Sequence, residues 1–271
     1  MAHPYLYLEI RDLRKSFSRA PSGTRPLRVL DGLSLRLERG EFVALVGPSG
    51  CGKTTLLNVL AGLIPPDSGS IWLDGRRVAS CRGHVAYMQQ KDLLLPWRTA
   101  LANAALGLEV QGLSRREARA RARALLKRFG LEGFEGHYPH QLSGGMRQRV
   151  ALVRTLLLEK PLWLLDEPFG ALDALTRAQL HDHLLQAWAA QRPAVLLVTH
   201  DVEEALKLAD RVVVLTPRPA RVRLELEVKR PRPRDVTSPE LVALKREVLE
   251  ALGLSAGESV GEEAEEEVTA P

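Results

Sequence analysis

Only two cysteines, Cys51 and Cys81, occur in the 271-residue sequence, with no CxxC pair and no metal-ligand spacing. That scarcity argues against a disulfide framework or a structural zinc and fits a reducing compartment. The chain has no run of eighteen uncharged apolar residues, so no segment reads as a membrane-spanning helix. Its start, "MAHPYLYLEIRDL", has neither a basic leader nor a small-residue cleavage site, which disfavours secretion and makes a cytoplasmic location the expectation. No internal repeat is visible. What the sequence does have is 45% hydrophobic and 26% charged residues, enough to bury one large core or two smaller ones. The net charge of +5 understates a basic body, because the stretch "GESVGEEAEEEVTAP" over 257–271 is dominated by glutamate. That stretch has no apolar period and reads as an acidic disordered tail. A basic body suits nucleic acid, an anionic membrane surface or a solvated arginine-rich face, and charge alone does not choose among them.

The N-terminal third alternates apolar and polar residues between turn signals, in "YLYLEIRDL", "LDGLSLRLERG" and "GSIWLDGRRV". Period-two patterning of this kind predicts antiparallel strands. Four later runs, "EFVALVG", "LWLLDEP", "AVLLVTHD" and "RVVVLTP", are apolar without alternation, as expected for parallel strands covered by helices on both faces. "KTTLLNVLAGL" and "LTRAQLHDHLLQAWAAQ" supply such helices. Between the first two parallel strands lies a helical insert whose clearest piece is "SRREARARARALLKRFG". There Ser114 and Glu117 form a capping box, Ala118, Ala122, Leu125, Leu126 and Phe129 follow helical spacing, and Gly130 marks the stop. A last helix, "SPELVALKREVLEALG", opens on Pro239 and lines up Leu241, Leu244, Val248 and Leu252. The expected class is α/β: a P-loop NTPase core with a mainly parallel sheet, an N-terminal antiparallel β subdomain and an inserted α-helical subdomain. The expected boundaries are a nucleotide-binding domain over 1–235 with its insert at about 91–160, a helix over 236–256, and the tail.

The strongest chemical signal is "GPSGCGKT", Gly47 to Thr54, which satisfies G-x-x-x-x-G-K-[ST] between a predicted strand and a predicted helix. Gly47, Gly50 and Gly52 let the backbone turn its amides toward phosphate oxygens at a helix N-terminus. Pro48, Ser49, Cys51 and Thr55 complete the candidate phosphate-binding set. Lys53 can reach the β- and γ-phosphates, and the Thr54 hydroxyl can ligate Mg²⁺. "LWLLDEP" ends an apolar strand on Asp166, a candidate Mg²⁺ carboxylate, followed by Glu167, a candidate general base. His200 in "LLVTHD" falls at the same sheet edge if its strand runs parallel to that of Asp166, which suits a group sensing the γ-phosphate. His140, His181, His183 and the other histidines have no such placement and read as structural. Ser143 in "LSGGM" is a good N-cap, and Gly144 and Gly145 permit close backbone approach, so this turn suits a second anion. A plain helix cap explains those three residues equally well.

Taken in order, "GPSGCGKTT", "LSGGM" with "RQR", "LWLLDEP", "GALD" and "VTHD" resemble the ATP-binding cassette (ABC) family of transporter ATPases, from about residue 5 to about residue 220. The resemblance implies ATP and Mg²⁺ as ligands and roles for further residues. Phe17 stands where the family stacks an aromatic on adenine, a core aromatic on a strand being the competing reading. Gln90, or its neighbour Gln89, stands in the loop that contacts Mg²⁺ and water and relays nucleotide state; counting back from Pro96 favours Gln90. Asp173 matches the loop that couples two ATP sites. Ser143, Gly144 and Gly145 would close over ATP held by a second copy, in a head-to-tail dimer.

With no membrane span in the chain, the resemblance implies separate permease subunits, attachment at the inner face of the membrane and, indirectly, a solute-binding protein. The segment "MQQKDLLLPWRTALANAALGLEVQG" is similar to the subfamily of nitrate, sulfonate, taurine and thiamine-pyrimidine importers. About fifty residues follow "VRL", so no large C-terminal regulatory domain is expected. A soluble cassette ATPase acting on nucleic acid or ribosomes is the alternative. The DNA-acting kind needs a long coiled-coil insertion and the ribosomal kind a second cassette, and neither is visible, so no nucleic-acid partner is expected. A small-molecule P-loop kinase would leave "LSGGM" and "VTHD" without work.

Overall fold

In the computed structural model, which describes residues 6–18 and 26–254, two sheets meet face to face. The alternating N-terminal stretches form β1 (Leu6–Phe17) and β2 (Leu27–Glu38). The later runs form β3 (Phe42–Val46), β7 (Leu162–Asp166), β8 (Ala194–Val198) and β9 (Arg211–Leu215). Strands β4 (Ser68–Leu73) and β5 (Arg76–Val78) join the first two in an antiparallel sheet of order β2-β1-β4-β5. The second sheet has order β10-β9-β3-β8-β7-β6 and adds β6 (Val85–Met88) and β10 (Val222–Glu227). Its five inner-to-β6 strands run parallel, and only β10 is antiparallel to its neighbour.

Continuous apolarity in the parallel strands reflects burial on both faces. On β3, Val43 and Leu45 face the antiparallel sheet together with Leu56, Leu57 and Leu60 of α1 (Lys53–Ala61). Phe42, Ala44 and Val46 face the opposite core. That second core is closed by α2 (Ala100–Val110), α3 (Arg115–Arg128), α4 (Gly144–Leu156), α5 (Ala174–Gln191), α6 (Val202–Leu208) and α7 (Pro239–Leu252). Helices α2 to α4 lie between β6 and β7 in the chain.

Local signals account for most helix ends. Ser114 accepts from the Glu117 amide at 3.3 Å, and Gly130 adopts φ +68° just past α3. Only half of the expected capping box forms: the Glu117 carboxylate is taken by Arg121 at 3.1 Å, one turn along the same helix. Ala118, Ala122, Leu126 and Phe129 are buried as spaced, with Leu125 packed at the margin. On α7, Pro239 occupies the first turn, and Leu241 and Val248 are buried while Leu244 and Leu252 flank them. The acidic stretch expected over 257–271 lies outside the described residues.

Candidate functional site

Four parallel neighbours, β3, β8, β7 and β6, end along one edge of the sheet, the edge at which open α/β sheets gather ligands. Val198 is level with Leu45 and Asp166, and Leu165 with Met88. The residues that follow each strand therefore collect there: Gly47 after β3, His200 after β8, Glu167 after β7 and Gln90 after β6.

After β3 the chain turns through Gly50 at φ +68° and Gly52 at φ +126° into α1. A Cβ at Gly52 would lie 2.9 Å from Val29 Cγ1, so the turn needs glycine for space as well as for conformation. No side chain caps α1, which leaves its first amides free for an anionic ligand. Lys53 is buried and folds over the loop, its Nζ donating to the carbonyls of Gly47 at 2.7 Å and Pro48 at 3.0 Å. Ser49, Gly50 and Thr54 stay exposed on this rim. Cys51 packs beneath, where burial raises its thiol pKa, and Cys81 is pushed up to about 12 by burial. Neither thiol is reactive in such surroundings.

Asp166 is 1% exposed, and neither of its carboxylate oxygens forms a hydrogen bond. Desolvation lifts its pKa to about 6, only partly offset by the neighbouring Thr54 hydroxyl and Lys53 ammonium. A buried carboxylate without a partner is costly unless a cation meets it, and an oxygen donor beside a threonine hydroxyl suits a hard divalent ion. Asp166→Asn is therefore expected to stabilise the EDTA-treated protein at pH 8 by up to about 3 kcal/mol. The native pKa lies above the unfolded one, so the charge costs stability in full above pH 6. The gain should shrink as the pH falls through 6 and vanish only below the unfolded value of 3.8, where both states hold the proton. Unfolding curves of the two proteins between pH 4 and 8 test this; equal stability at pH 8 contradicts it.

Glu167 adopts φ +47°, its amide donating to Val198 O at 2.9 Å. Its Oε2 accepts from Gln90 Nε2 at 3.2 Å and lies 3.5 Å from His200 Nδ1. The His200 interaction is the largest effect lowering the Glu167 pKa, and Glu167 in turn raises that of His200. The carboxylate is thus ionised near neutrality while the imidazole holds its proton more firmly than usual. Of the two adjacent glutamines, Gln90 is the one that meets Glu167.

Lys53, Asp166, Glu167, Gln90 and His200 thus share one edge, whereas Phe17, Ser143–Gly145 and Asp173 come from elements outside that row of strand ends. Phe17 ends β1 and is 38% exposed, with Lys15 Nζ 5.6 Å from its ring centroid, so it is not a core aromatic. Ser143 caps α4 by accepting from the Met146 amide at 3.2 Å, and it is exposed together with Gly144. Asp173 caps α5 in the same way through the Thr176 amide at 2.9 Å. These two turns adjoin, since a Cβ at Gly145 would sit 2.8 Å from Leu172 Cδ2.

Two residues of the "RQR" run, Arg147 and Gln148, were part of the resemblance but had no role assigned from the sequence. Gln148, buried on α4, donates to Glu167 O at 3.1 Å and so ties the helix capped by Ser143 to the strand end. Arg147 Nε reaches Asp92 Oδ2 at 3.1 Å, linking that helix to the segment after Gln90. The "RQR" run sits beside "LSGGM" in the sequence, but nothing in its spacing names what those side chains meet.

Residues 30–170 match the family model described as ABC transporter. The chain is 47% identical over 203 residues to the taurine import ATP-binding protein TauB of Escherichia coli O157:H7, covering 75% of this chain and 79% of the relative. It is 38% identical over 243 residues to the aliphatic sulfonates import ATP-binding protein SsuB of Bacillus cereus, covering 90% and 94% respectively. Among solved structures, a dimeric post-hydrolysis ATP-binding cassette bound to ADP and Pi superposes with a TM-score of 0.75 at 30% identity, covering 82% of this chain and 99% of that one.

Proposed function

The chain belongs to the ABC transporter family, and on that premise we propose that it is the ATP-hydrolysing subunit of an importer for a small solute of the sulfonate class. ATP is bound and hydrolysed. The transport reading takes its solute class from the taurine and aliphatic-sulfonate import proteins to which the chain is similar. No helix among the described residues is long and apolar enough to cross a membrane, so the reading also requires separate permease subunits, a solute-binding protein and attachment at the inner face of the membrane. Residues 1–235 are read as the nucleotide-binding domain, with its helical insert at about 91–160.

One observation carries the catalytic reading: Glu167, held between Gln90 and His200, stands next to the unpartnered Asp166 carboxylate. In this reading Lys53 exchanges the carbonyls of Gly47 and Pro48 for β- and γ-phosphate oxygens, and the uncapped amides at the start of α1 cradle the rest. Thr54, Gln90 and Asp166 would hold Mg²⁺, which would supply positive charge against the phosphate oxygens. Glu167 accepts a proton from the attacking water. His200 donates to the γ-phosphate, a role suited to an imidazole of raised pKa. Phe17 offers its exposed ring to adenine. Ser143, Gly144 and Gly145, with Asp173, face the ATP of a second copy.

The test is Mg²⁺-dependent turnover by the purified chain, and its stimulation in vesicles holding the cognate permease and a taurine-loaded binding protein. No stimulation by the loaded binding protein would overturn the importer reading. Phe17→Ala is expected to raise KM for ATP by about two- to tenfold with kcat nearly unchanged, because stacking of this kind contributes about 0.5–1.5 kcal/mol. Steady-state kinetics check this, and an unchanged KM would remove Phe17 from the site.

A further inference from the structure

Arg177 and His181 lie one turn apart on α5 and both reach across to α6. Arg177 Nη1 donates to Asp201 Oδ2 at 3.1 Å, while Nη2 of the same guanidinium donates to the carbonyl of Leu172 at 3.1 Å. His181 Nε2 stands 3.2 Å from Glu204 Oε2, both side chains being buried. The His181 ring also packs edge-on against Phe169, two residues beyond Glu167, at 4.7 Å between centroids. Asp201 follows His200 directly, and its carboxylate caps α6 through the Glu204 amide at 3.1 Å. One face of α5 therefore grips three segments: the turn ending at Asp173, the strand end carrying Glu167, and the turn carrying His200. A cleft between them is lined by Glu167, Gly170, Arg177, Thr199 and His200.

We propose that Arg177 is a positioning residue that couples the Leu172–Asp173 turn to His200, so that pairing with a second copy sets the geometry of hydrolysis, with the His181–Glu204 pair as the pivot. The inference rests on the reading that the Asp173 turn meets a second copy. Arg177 touches no reacting atom. Its two hydrogen bonds are made by one rigid, planar guanidinium, so a displacement of Leu172 O must be shared with Asp201, and through Asp201 with the start of α6 and His200. The setting is partly buried, Arg177 Nε is shielded from solvent without a partner, and the guanidinium's bonds within the protein run to Asp201 and Leu172 O. The His181–Glu204 pair resists sliding of the two helices, because breaking a buried pair on one side leaves the other group stranded.

The test follows turnover against subunit concentration for the unsubstituted chain, Arg177→Ala and Arg177→Lys, with ATP affinity measured by a fluorescent analogue. Arg177→Ala should lower the plateau of turnover at least about tenfold, since misplacements of about 1 Å carry costs of that order or larger. Its half-saturating subunit concentration and its ATP affinity should stay within about twofold. Arg177→Lys, which keeps the charge but only a single point donor, should recover part of the plateau. An unchanged plateau in Arg177→Ala overturns the inference. So does a shift in the half-saturating concentration at constant plateau, which would make Arg177 an interface residue. A parallel loss of plateau, ATP affinity and unfolding temperature would make its role merely structural, also against the proposal. No turnover in the unsubstituted chain overturns the ATPase reading itself, a result distinct from the others.

Discussion

Glu167→Gln is expected to slow ATP turnover by about 10² to 10⁴-fold, the usual cost of losing a general base, while ATP binding is retained. The change removes one charge and almost no volume. Its backbone anchors, the hydrogen bond its amide donates to Val198 O and the acceptor role of Glu167 O toward Gln148, do not involve the side chain and should survive. The side chain does lose its ion pair with His200, so His200 should titrate at lower pH in the variant, because Glu167 is the largest contributor to its raised pKa. Single-turnover hydrolysis and the imidazole resonances across pH 5 to 9 read the two effects separately. Turnover equal to that of the unsubstituted chain would remove Glu167 from the reaction.

Gly144→Asp, placed in the Glu167→Gln background, is expected to abolish ATP-dependent pairing, and alone to reduce turnover at least about 10²-fold. The position is suited to a clean test. Gly144 is exposed, and a Cβ there would meet only Arg147 Nη2, at 3.9 Å. An acidic residue in the first turn of α4 is also favourable to the helix itself. The chain should fold and bind ATP as before, yet present a carboxylate to the triphosphate held by its partner, where like charges at about 4 Å repel by several kcal/mol in a partly desolvated site. Gly145 would give a less decisive answer, because its Cβ would collide with Leu172 of the same chain. Size-exclusion chromatography with and without ATP decides the matter. Pairing that persists in the double variant would move the second copy's contact away from "LSGGM".

Most of the architecture was legible because its signals are local. Double-faced burial shows as unbroken apolar runs in β3, β7, β8 and β9, and single-faced burial as alternation in β4 and the second half of β2, whereas β1 departs from its alternating sequence by burying Tyr7 to Ile10 in succession. What escaped was short or ambiguous. Strand β6 has four residues, too few for a period. Strand β10 alternates cleanly over "VRLELE" but follows a proline-rich turn, and its pairing depends on β9 being there to receive it. Helix α2 is alanine-rich and buried on several sides, so it shows no polar face to mark its period. The capping box at α3 failed in one half because Arg121 offers Glu117 a charged partner on the same helix.

The sequence by itself determined the chemistry available: a glycine-rich turn before Lys53 and Thr54, carboxylates at Asp166 and Glu167, an imidazole at His200, and a second capped turn at Ser143. Each of these is written in contiguous residues whose spacing carries the physics. Tertiary structure alone decided which of them meet. Strand order puts Gln90 rather than Gln89 against Glu167, brings Gln148 and Arg177 to the same edge, leaves Phe17 exposed, and sets the turns at Gly145 and Leu172 side by side. The reason is that a side chain's partner is chosen by register and crossover, which depend on the packing of the whole sheet and are recorded at no single position along the chain.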